Sequence, residues 1–319
     1  MRRFRIPHSF AAAAVLIAMA AHAAAATVHI VFPYSAGGSG DAVARLLADR
    51  LQAATGDDVV VENRTGGAGI IGVTAVKTAP PDGTAILMTP IAPVAVFPFT
   101  YRDLSYDPFK DFEPVSQVVE FDYGIAVDPT IPAKTVPDLV AWLKAHPDRA
   151  TFGSPGTGAL PQFTGILFGR LTGIALTHVP YKGSAPALSD VMGGHIALAI
   201  LPASDMIALK KAGKINVIAT SGVRRSSLLP DVPTLKESGL DIVGNGWYAI
   251  YVPAGTPKPI IDRLSKVVIE TVRSPDIHAR LTGLGFEPTG TTPAELAAIQ
   301  KADAEKWGAV VRAAGFVAD

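Results

Sequence analysis

Residues 28–54 read VHIVFPYSAGGSGDAVARLLADRLQAA, and this stretch decides the fold class. The apolar run 28–32 predicts a buried strand, and the glycine-rich segment 33–40 predicts a tight turn. From Asp41 to about Ala54 the apolar side chains recur at helical spacing, which predicts a helix with one buried face. These side chains are Val43, Leu46, Leu47 and Leu51. A strand that leads through a short turn into a helix is the repeating unit of α/β proteins.

The same alternation of strands and helices continues along the chain. Thr292 and Glu295 form the pattern of a capping box before the last helix, with Pro293 at its first position. Alternation of this kind indicates parallel sheets with helical crossovers. Because no flexible linker separates the units, we expect an α/β fold of two lobes joined by strands that cross between them. Further strands are predicted at 59–62, 85–88, 121–127, 151–153, 175–179, 196–199, 217–220 and 247–252.

The composition excludes several classes of protein. The chain has 319 residues, of which 49% are hydrophobic and 18% charged, so it is not a disordered chain. It has no cysteine, which excludes disulfides, thiolate nucleophiles and cysteine-based metal sites. The seven histidines show no metal-ligand spacing, so we expect no metal ion. Lys+Arg and Asp+Glu both number 28, and without a basic surplus we do not expect nucleic acid as a partner.

The first 26 residues predict a secretory signal peptide. Arg2, Arg3 and Arg5 form a positive start, residues 10–21 are apolar and rich in alanine, and small residues follow up to Ala26. The rival interpretation is an uncleaved membrane anchor, but a span needs about 18 strongly apolar residues. Cleavage near Ala26 would remove three arginines and no acidic residue, which changes the net charge from 0 to −3. We therefore expect an exported protein of two domains.

Two glycine-rich turns, 36–41 and 153–158, each lie between a strand and a helix. Glycine leaves main-chain N–H groups uncovered, and the helix N-terminus adds about half a positive charge. Such a turn can hold a carboxylate or a phosphate group. Asp41 leaves two alternatives open, since its carboxylate either stabilises the helix N-terminus or receives a polar or cationic group of a ligand. The sequence thus predicts two anion sites, one in each lobe.

A third glycine-rich turn, 67–72, contains the dinucleotide pattern G-x-G-x-x-G. The acidic residue that would hold a ribose is missing, because the next strand ends at 88–90 with Met-Thr-Pro. We therefore expect a turn that opens a helix, and no cofactor.

Ser154 raises the alternative of an exported hydrolase. It would act as a nucleophile with His178 and either Asp190 or Asp205, although the segment does not match G-x-S-x-G. His178 and Trp247 are each open to two interpretations, as core residues or as residues that line a cleft. Lys182 either pairs with an anion or with a surface acid.

Seven short motifs follow one another along the chain. They are YSAGGSGD (34–41), VVENR (60–64), PDGT (81–84), YDPFKDF (106–112), HVPYKG (178–183), LPDVPT (229–234) and PAGTP (253–257). On these motifs the chain resembles the Bug (Bordetella uptake gene) family, the extracytoplasmic solute-binding receptors of tripartite tricarboxylate transporters. The resemblance runs from about residue 28 to 316. It implies a two-lobe periplasmic-binding-protein fold, similar to type II, with a ligand cleft and two crossing strands.

The resemblance also implies lobe limits, a location and a function. The first lobe would be 27–125 plus 246–319, and the second 126–245. We expect a periplasmic receptor without a catalytic step, which binds a small organic acid and hands it to the membrane subunits of a tripartite tricarboxylate transporter. A ligand sensor that docks on a signalling protein is a further alternative with the same binding step.

In the family, loops equivalent to 34–41 and 153–158 hold the carboxylates of the ligand, and these are the turns that the glycine pattern singles out. The ligand-binding residues that we expect are Tyr34, Ala36, Gly37, Gly38, Ser39, Asp41, Thr89, Ser154, Gly156, Thr157, Tyr181, Leu201 and Trp247.

The chain departs from the family pattern at two places. Residues 90–96 are mostly apolar where many relatives carry polar side chains, and Leu201-Pro202 stands where an Asp-Asn pair is common. Both changes remove hydrogen-bond partners from loops that we expect to face the cleft. We therefore predict a ligand with one carboxylate and a less polar body, such as an aromatic acid, rather than a small, highly polar acid such as citrate or malate.

Overall fold

A computed structural model describes residues 27–318, except for the side chain of Ala314, and the predicted signal peptide lies outside the described residues. The strands are β1 (Thr27–Phe32), β2 (Asp58–Asn63), β3 (Ala85–Pro90), β4 (Phe112–Val127), β5 (Thr151–Ser154), β6 (Thr177–Pro180), β7 (Leu198–Pro202), β8 (Asn216–Thr220), β9 (Asn245–Pro253) and β10 (Glu287–Pro288). The helices are α1 (Ser39–Thr55), α2 (Ile70–Lys77), α3 (Phe97–Thr100), α4 (Val136–Ala145), α5 (Leu160–Thr172), α6 (Ser184–Met192), α7 (Ile207–Lys211), α8 (Lys258–Arg273), α9 (Pro275–Gly283) and α10 (Pro293–Ala314).

The strands follow one another in the order β2-β1-β3-β9-β4-β7-β5-β6, and β8 and β10 also pair with β4. β1 runs parallel to β2 and β3 in the first half of this order. β5 runs parallel to β6 and β7 in the second half. The strands next to the middle of the order, β9 and β7, are antiparallel to β4. Parallel strands with helical crossovers, predicted from the sequence, are therefore confirmed in both halves.

β4 carries the chain from one lobe to the other. Residues 112–122 of this strand pair with β9, and residues 123–127 pair with β7. The chain returns between β8 and β9 through the irregular segment 221–244. Part of this segment stays with the second lobe, because Leu229 and Val232 belong to its core. The partner of β4 thus changes from β9 to β7 between Asp122 and Tyr123. The lobe limits at 125/126 and 245/246 stay a prediction.

α1 has the amphipathic pattern that the sequence predicts, and its buried side chains include Val43, Leu47 and Leu51. It begins at Ser39, two residues before the predicted start, because Gly38 already serves as its extended N-cap residue. It ends where Gly56 adopts a left-handed conformation and donates its N–H to a carbonyl of the last turn. The same conformation would strain a residue with a side chain.

The remaining helices cover the sheet and complete the cores of the two lobes. α8 and α10 pack against β4, and α10 begins with the predicted capping box of Thr292 and Glu295. The smaller core of the second lobe includes Val191, Ile196 and Met206. Within residues 27–318, no helix combines the length and the apolar composition needed to cross a membrane.

Gly246 at the start of β9 provides a test of the packing of β9 against β4, the strand that crosses between the lobes. A Cβ atom on Gly246 would lie 2.4 Å from Tyr123 Oη and 2.6 Å from Phe121 Cε2. We predict that Gly246→Ala lowers the free energy of unfolding by about 1–3 kcal/mol, because both rings must leave a packed position. Gly283→Ala in α9 is the matched control, since an added Cβ meets nothing within 4 Å there. Urea unfolding measures the effect, and equal midpoints for Gly246→Ala and the unsubstituted protein would contradict the prediction.

Candidate ligand-binding cleft

A cavity of about 50 Å³ lies between the two lobes. Both predicted turns reach it, the first through residues 38–40 at the start of α1 and the second through Pro155. Residues 159–161, which follow the second turn at the start of α5, line it as well. Its other walls are mainly apolar and aromatic. They include Phe32, Ile91, Phe121, Tyr123, Pro202 and Tyr248.

The carboxylate of Asp41 accepts hydrogen bonds from groups of its own lobe. Its Oδ2 accepts hydrogen bonds from the Gly37 amide at 3.2 Å and from Arg45 Nε at 3.0 Å. Its Oδ1 accepts one from Asn63 Nδ2 at 3.0 Å. Burial alone would raise the pKa of Asp41, but the hydrogen bonds from Arg45, Asn63 and Gly37 hold it below its usual value. Of the two alternatives that the sequence left open, the structure therefore supports stabilisation of the helix N-terminus.

The second lobe supplies another carboxylate to α1. Asp205, in a short turn between β7 and α7, accepts a hydrogen bond from the Ser39 amide at 2.5 Å. The hydroxyl groups of Ser39 and Ser204 lie 2.9 Å apart and form a second contact between the lobes. Two carboxylates, one from each lobe, thus face the N-terminus of α1.

The N-terminus of α5 has no such partner. Its N-cap residue, Ala159, offers no side-chain cap, and its first turn holds no acidic residue. Among residues 27–318, no atom accepts a hydrogen bond from the main-chain N–H groups of Ala159 or Leu160. Both residues line the cavity. In the preceding turn the Gly158 amide already has an acceptor, because it donates to Gln162 Oε1 at 2.6 Å.

Ser154 and His178, the pair behind the hydrolase alternative, do lie together. Ser154 Oγ is 2.7 Å from His178 Nε2, but Ser154 is fully buried and also donates to the Gly156 carbonyl. Burial lowers the pKa of His178 to about 4. Neither aspartate completes a triad, because Asp190 accepts from Tyr181 Oη at 2.6 Å and Asp205 lies at α1.

The structure distributes the predicted binding residues unevenly. Tyr34, Gly38 and Ser39 line the cavity, whereas Ala36 and Gly37 are exposed beside it. The others lie outside its lining, so their role in binding stays a prediction. They are Asp41, Thr89, Ser154, Gly156, Thr157, Tyr181, Leu201 and Trp247.

Two of these residues are turned into the protein interior. Leu201 is fully buried in the core of the second lobe. Trp247 is 2% exposed and donates its indole N–H to Asp303 at 2.8 Å, which holds the ring against α10. Side chains alternate along a strand, and its neighbour Tyr248 lines the cavity instead.

Sequence reasoning missed most of the aromatic wall. Phe32, Phe121 and Tyr248 form a group of tilted and edge-on ring pairs beside the cavity. The glycine at position 40 is the sequence feature that could have indicated these rings. A Cβ atom at this position would lie 2.4 Å from Phe32 and 2.8 Å from Tyr248. The glycine is therefore needed for close packing against rings as well as for the turn. No sequence pattern marks Asp205 as a residue of the binding site. It enters only as a candidate for the triad of the hydrolase alternative.

Further contacts hold the lobes together around the cavity. The Ser35 amide donates to the Lys182 carbonyl at 2.8 Å. Tyr101 Oη donates to the Thr157 carbonyl at 2.9 Å. Gly156 packs closely on Ala68, since a Cβ at this glycine would lie 3.0 Å from the Ala68 Cβ. The cleft is thus closed in this structure.

The chain matches a family model described as tripartite tricarboxylate transporter family receptor over residues 43–316. A UPF0065 protein of Agrobacterium vitis is 37% identical over 292 residues, which cover 90% of this chain and 84% of the relative. BugT of Bordetella pertussis is 31% identical over 290 residues, which cover 90% of this chain and 89% of BugT.

Two solved structures are similar over most of the chain. An R. palustris protein solved with adipate is 31% identical, with a TM-score of 0.88 and coverage of 91% of this chain and 98% of that one. MatC from Rhodopseudomonas palustris, solved with bound malate, is 29% identical, with a TM-score of 0.82 and coverage of 89% and 98%. These matches confirm the predicted two-lobe binding-protein fold. The chain therefore belongs to the tripartite tricarboxylate transporter family receptors, a family of solute-binding receptors that includes the Bug proteins.

Proposed function

We propose that this chain is a periplasmic receptor for a small monocarboxylate with an apolar body, which it delivers to the membrane subunits of a tripartite tricarboxylate transporter. The observation that carries this proposal is an apolar cavity that reaches the N-terminus of α5, whose first turn holds no acidic residue. The relatives solved with adipate and malate support a carboxylate as the class of solute. The signal-peptide pattern of residues 1–26 supports export.

The walls of the cavity favour an apolar solute body. Residues 90–92 and Pro202 line it, and they belong to the two segments in which the sequence is less polar than the family pattern. Burial of apolar surface contributes about 25 cal/mol per Å². A second charged group buried against these walls would lose its hydration without gaining a partner. Both effects favour a solute with a single charged end.

The carboxylate end of the solute fits the N-terminus of α5 better than that of α1. At α5 the N–H groups of Ala159 and Leu160 are open, and the helix of 13 residues adds its dipole. At α1 a solute anion would lie near Asp41 and Asp205. Each charge-assisted hydrogen bond contributes about 1.5–3 kcal/mol. Two such bonds, the dipole and an apolar body together account for micromolar affinity, which corresponds to about −8 kcal/mol.

A thermal-shift screen with purified protein tests the proposal. Hexanoate, benzoate, adipate, malate and citrate are the probes. At 100 times its dissociation constant a ligand adds about 2.7 kcal/mol of stability, and at this size each kcal/mol raises the melting temperature by about 2–4 °C. We expect the monocarboxylates to give the larger shifts. Shifts from malate or citrate alone would overturn the monocarboxylate assignment, and no shift from any organic acid would overturn the receptor proposal.

Substitution of Ala159 tests the anchor at α5. We predict that Ala159→Asp weakens binding of the best monocarboxylate at least tenfold, because its carboxylate occupies the N-cap and repels the solute. Ala159→Asn has nearly the same size without the charge, so it should bind clearly more tightly than Ala159→Asp. Isothermal titration calorimetry measures both. Equal affinity of the two variants would show that no solute carboxylate lies at this helix.

The contact between Tyr101 and Thr157 tests whether lobe closure contributes to affinity. Tyr101→Phe removes a hydrogen bond between the lobes, and we predict a 2- to 10-fold loss of affinity, since such a bond contributes about 0.5–1.5 kcal/mol. Tyr106→Phe is the matched control, because Tyr106 Oη donates at 2.8 Å to the Pro93 carbonyl within the first lobe. The control should lower the melting temperature and leave affinity unchanged. Unchanged affinity in Tyr101→Phe would contradict the prediction.

A further inference from the structure

The segment that follows α10, residues 315–318, is fixed to the first lobe at both of its ends. At one end Gly315 adopts a left-handed conformation and donates its N–H to carbonyls in the last turn of α10. At the other end the Ala318 amide donates to the Thr100 carbonyl at 2.6 Å, and Ala318 pairs with Tyr101. The segment therefore moves with the first lobe.

Phe316 in this segment contacts the second lobe. Its ring packs edge-on against the ring of Phe163 in α5, with 5.2 Å between the ring centroids and 82° between the ring planes. Aromatic pairs in this arrangement are favourable beyond the area that they bury. Phe163 lies one turn after Ala159 and Leu160, whose amides we propose as the anchor of the solute carboxylate. The ring pair thus bears on the turn of α5 that faces the solute.

The burial of α5 indicates that its start is covered from more than one side. A helix that packs only on the sheet of its own lobe leaves one face exposed to water. Residues 160–165 are all buried, and exposed positions begin only at Ile166. One side packs on β5, where the Phe152 ring leaves no room for a Cβ on Gly165. Phe163 is 2% exposed, and the ring that packs on it comes from the first lobe.

Opening of the cleft would separate this ring pair, because the two rings belong to different lobes. Neither ring lies on β4 or on residues 221–244, where the chain crosses between the lobes. The segment also pairs with Tyr101, whose hydroxyl donates to the Thr157 carbonyl of the second lobe. Both contacts therefore stabilise the closed state and are absent from an open one.

We propose that Phe316 is a latch, which holds the cleft closed by packing on Phe163 at the start of α5 and so prolongs the retention of a bound solute. Neither ring lines the cavity, so the latch acts through the position of α5 and not through contact with the solute. This inference rests on the proposed function, because retention requires a solute in the closed cleft.

The reactivity of a single thiol tests the latch without any solute. The chain has no cysteine, so Phe163→Cys introduces one unique thiol. In the ligand-free protein this thiol should react with N-ethylmaleimide at least tenfold faster than that of Phe168→Cys, because opening uncovers position 163 alone. Phe168 is the matched control, since it is fully buried further along the same helix. Equal rates would show that position 163 stays covered, which overturns the inference.

Phe316→Ala provides a second measurement, by calorimetry and by the rate of dissociation. The probe is the acid that binds the unsubstituted protein most tightly among hexanoate, benzoate, adipate, malate and citrate. Its affinity should fall about fivefold or more in this variant, mainly through faster dissociation, because the closed state loses an aromatic pair. Phe109→Ala is the control, since Phe109 is an exposed phenylalanine of the first lobe, and it should leave affinity unchanged.

The outcomes separate the latch from the proposed function. Binding of an acid with the same affinity in Phe316→Ala and in the unsubstituted protein overturns the latch and leaves the receptor proposal in place. Failure of all five acids to bind the unsubstituted protein overturns the proposed function, and the thiol rates at positions 163 and 168 still decide whether the contact opens.

Discussion

The main-chain N–H groups in the first turn of a helix have no acceptor within the helix, and this constraint governs the cleft. α1 from the first lobe and α5 from the second begin at the same cavity. Asp41 and Asp205 face the start of α1, whereas the first turn of α5 holds no acidic residue. In the proposed function, this asymmetry places the carboxylate of the solute at α5.

The same arrangement links recognition to the relative position of the lobes. Ser39 and Asp205 belong to different lobes, as do Tyr101 and Thr157, so their hydrogen bonds form only when the lobes meet. The chain crosses between the lobes only in β4 and in 221–244 within the described residues, which leaves the opposite side of the cleft free to open. A solute held from both sides therefore favours the closed state, and its affinity includes the free energy of closure.

The sequence predicts local structure and the outline of the site well, because both follow from short-range patterns. The strand, glycine-rich turn and helix of residues 28–54 and the capping box at Thr292 depend on neighbours along the chain. Trp247 shows the limit. The sequence leaves open which face of β9 looks into the cavity, and only the packing of α10 brings Asp303 to the indole N–H. The contact between Ser39 and Asp205 joins residues 166 positions apart, and no local pattern announces it.

A crystal structure of the protein with its preferred monocarboxylate tests the central claim most directly. The account predicts carboxylate oxygens within hydrogen-bond distance of the Ala159 and Leu160 amides, with Asp205 still bound to the Ser39 amide. A solute carboxylate bound at the Ser39 amide, with Asp205 displaced from it, would contradict the account.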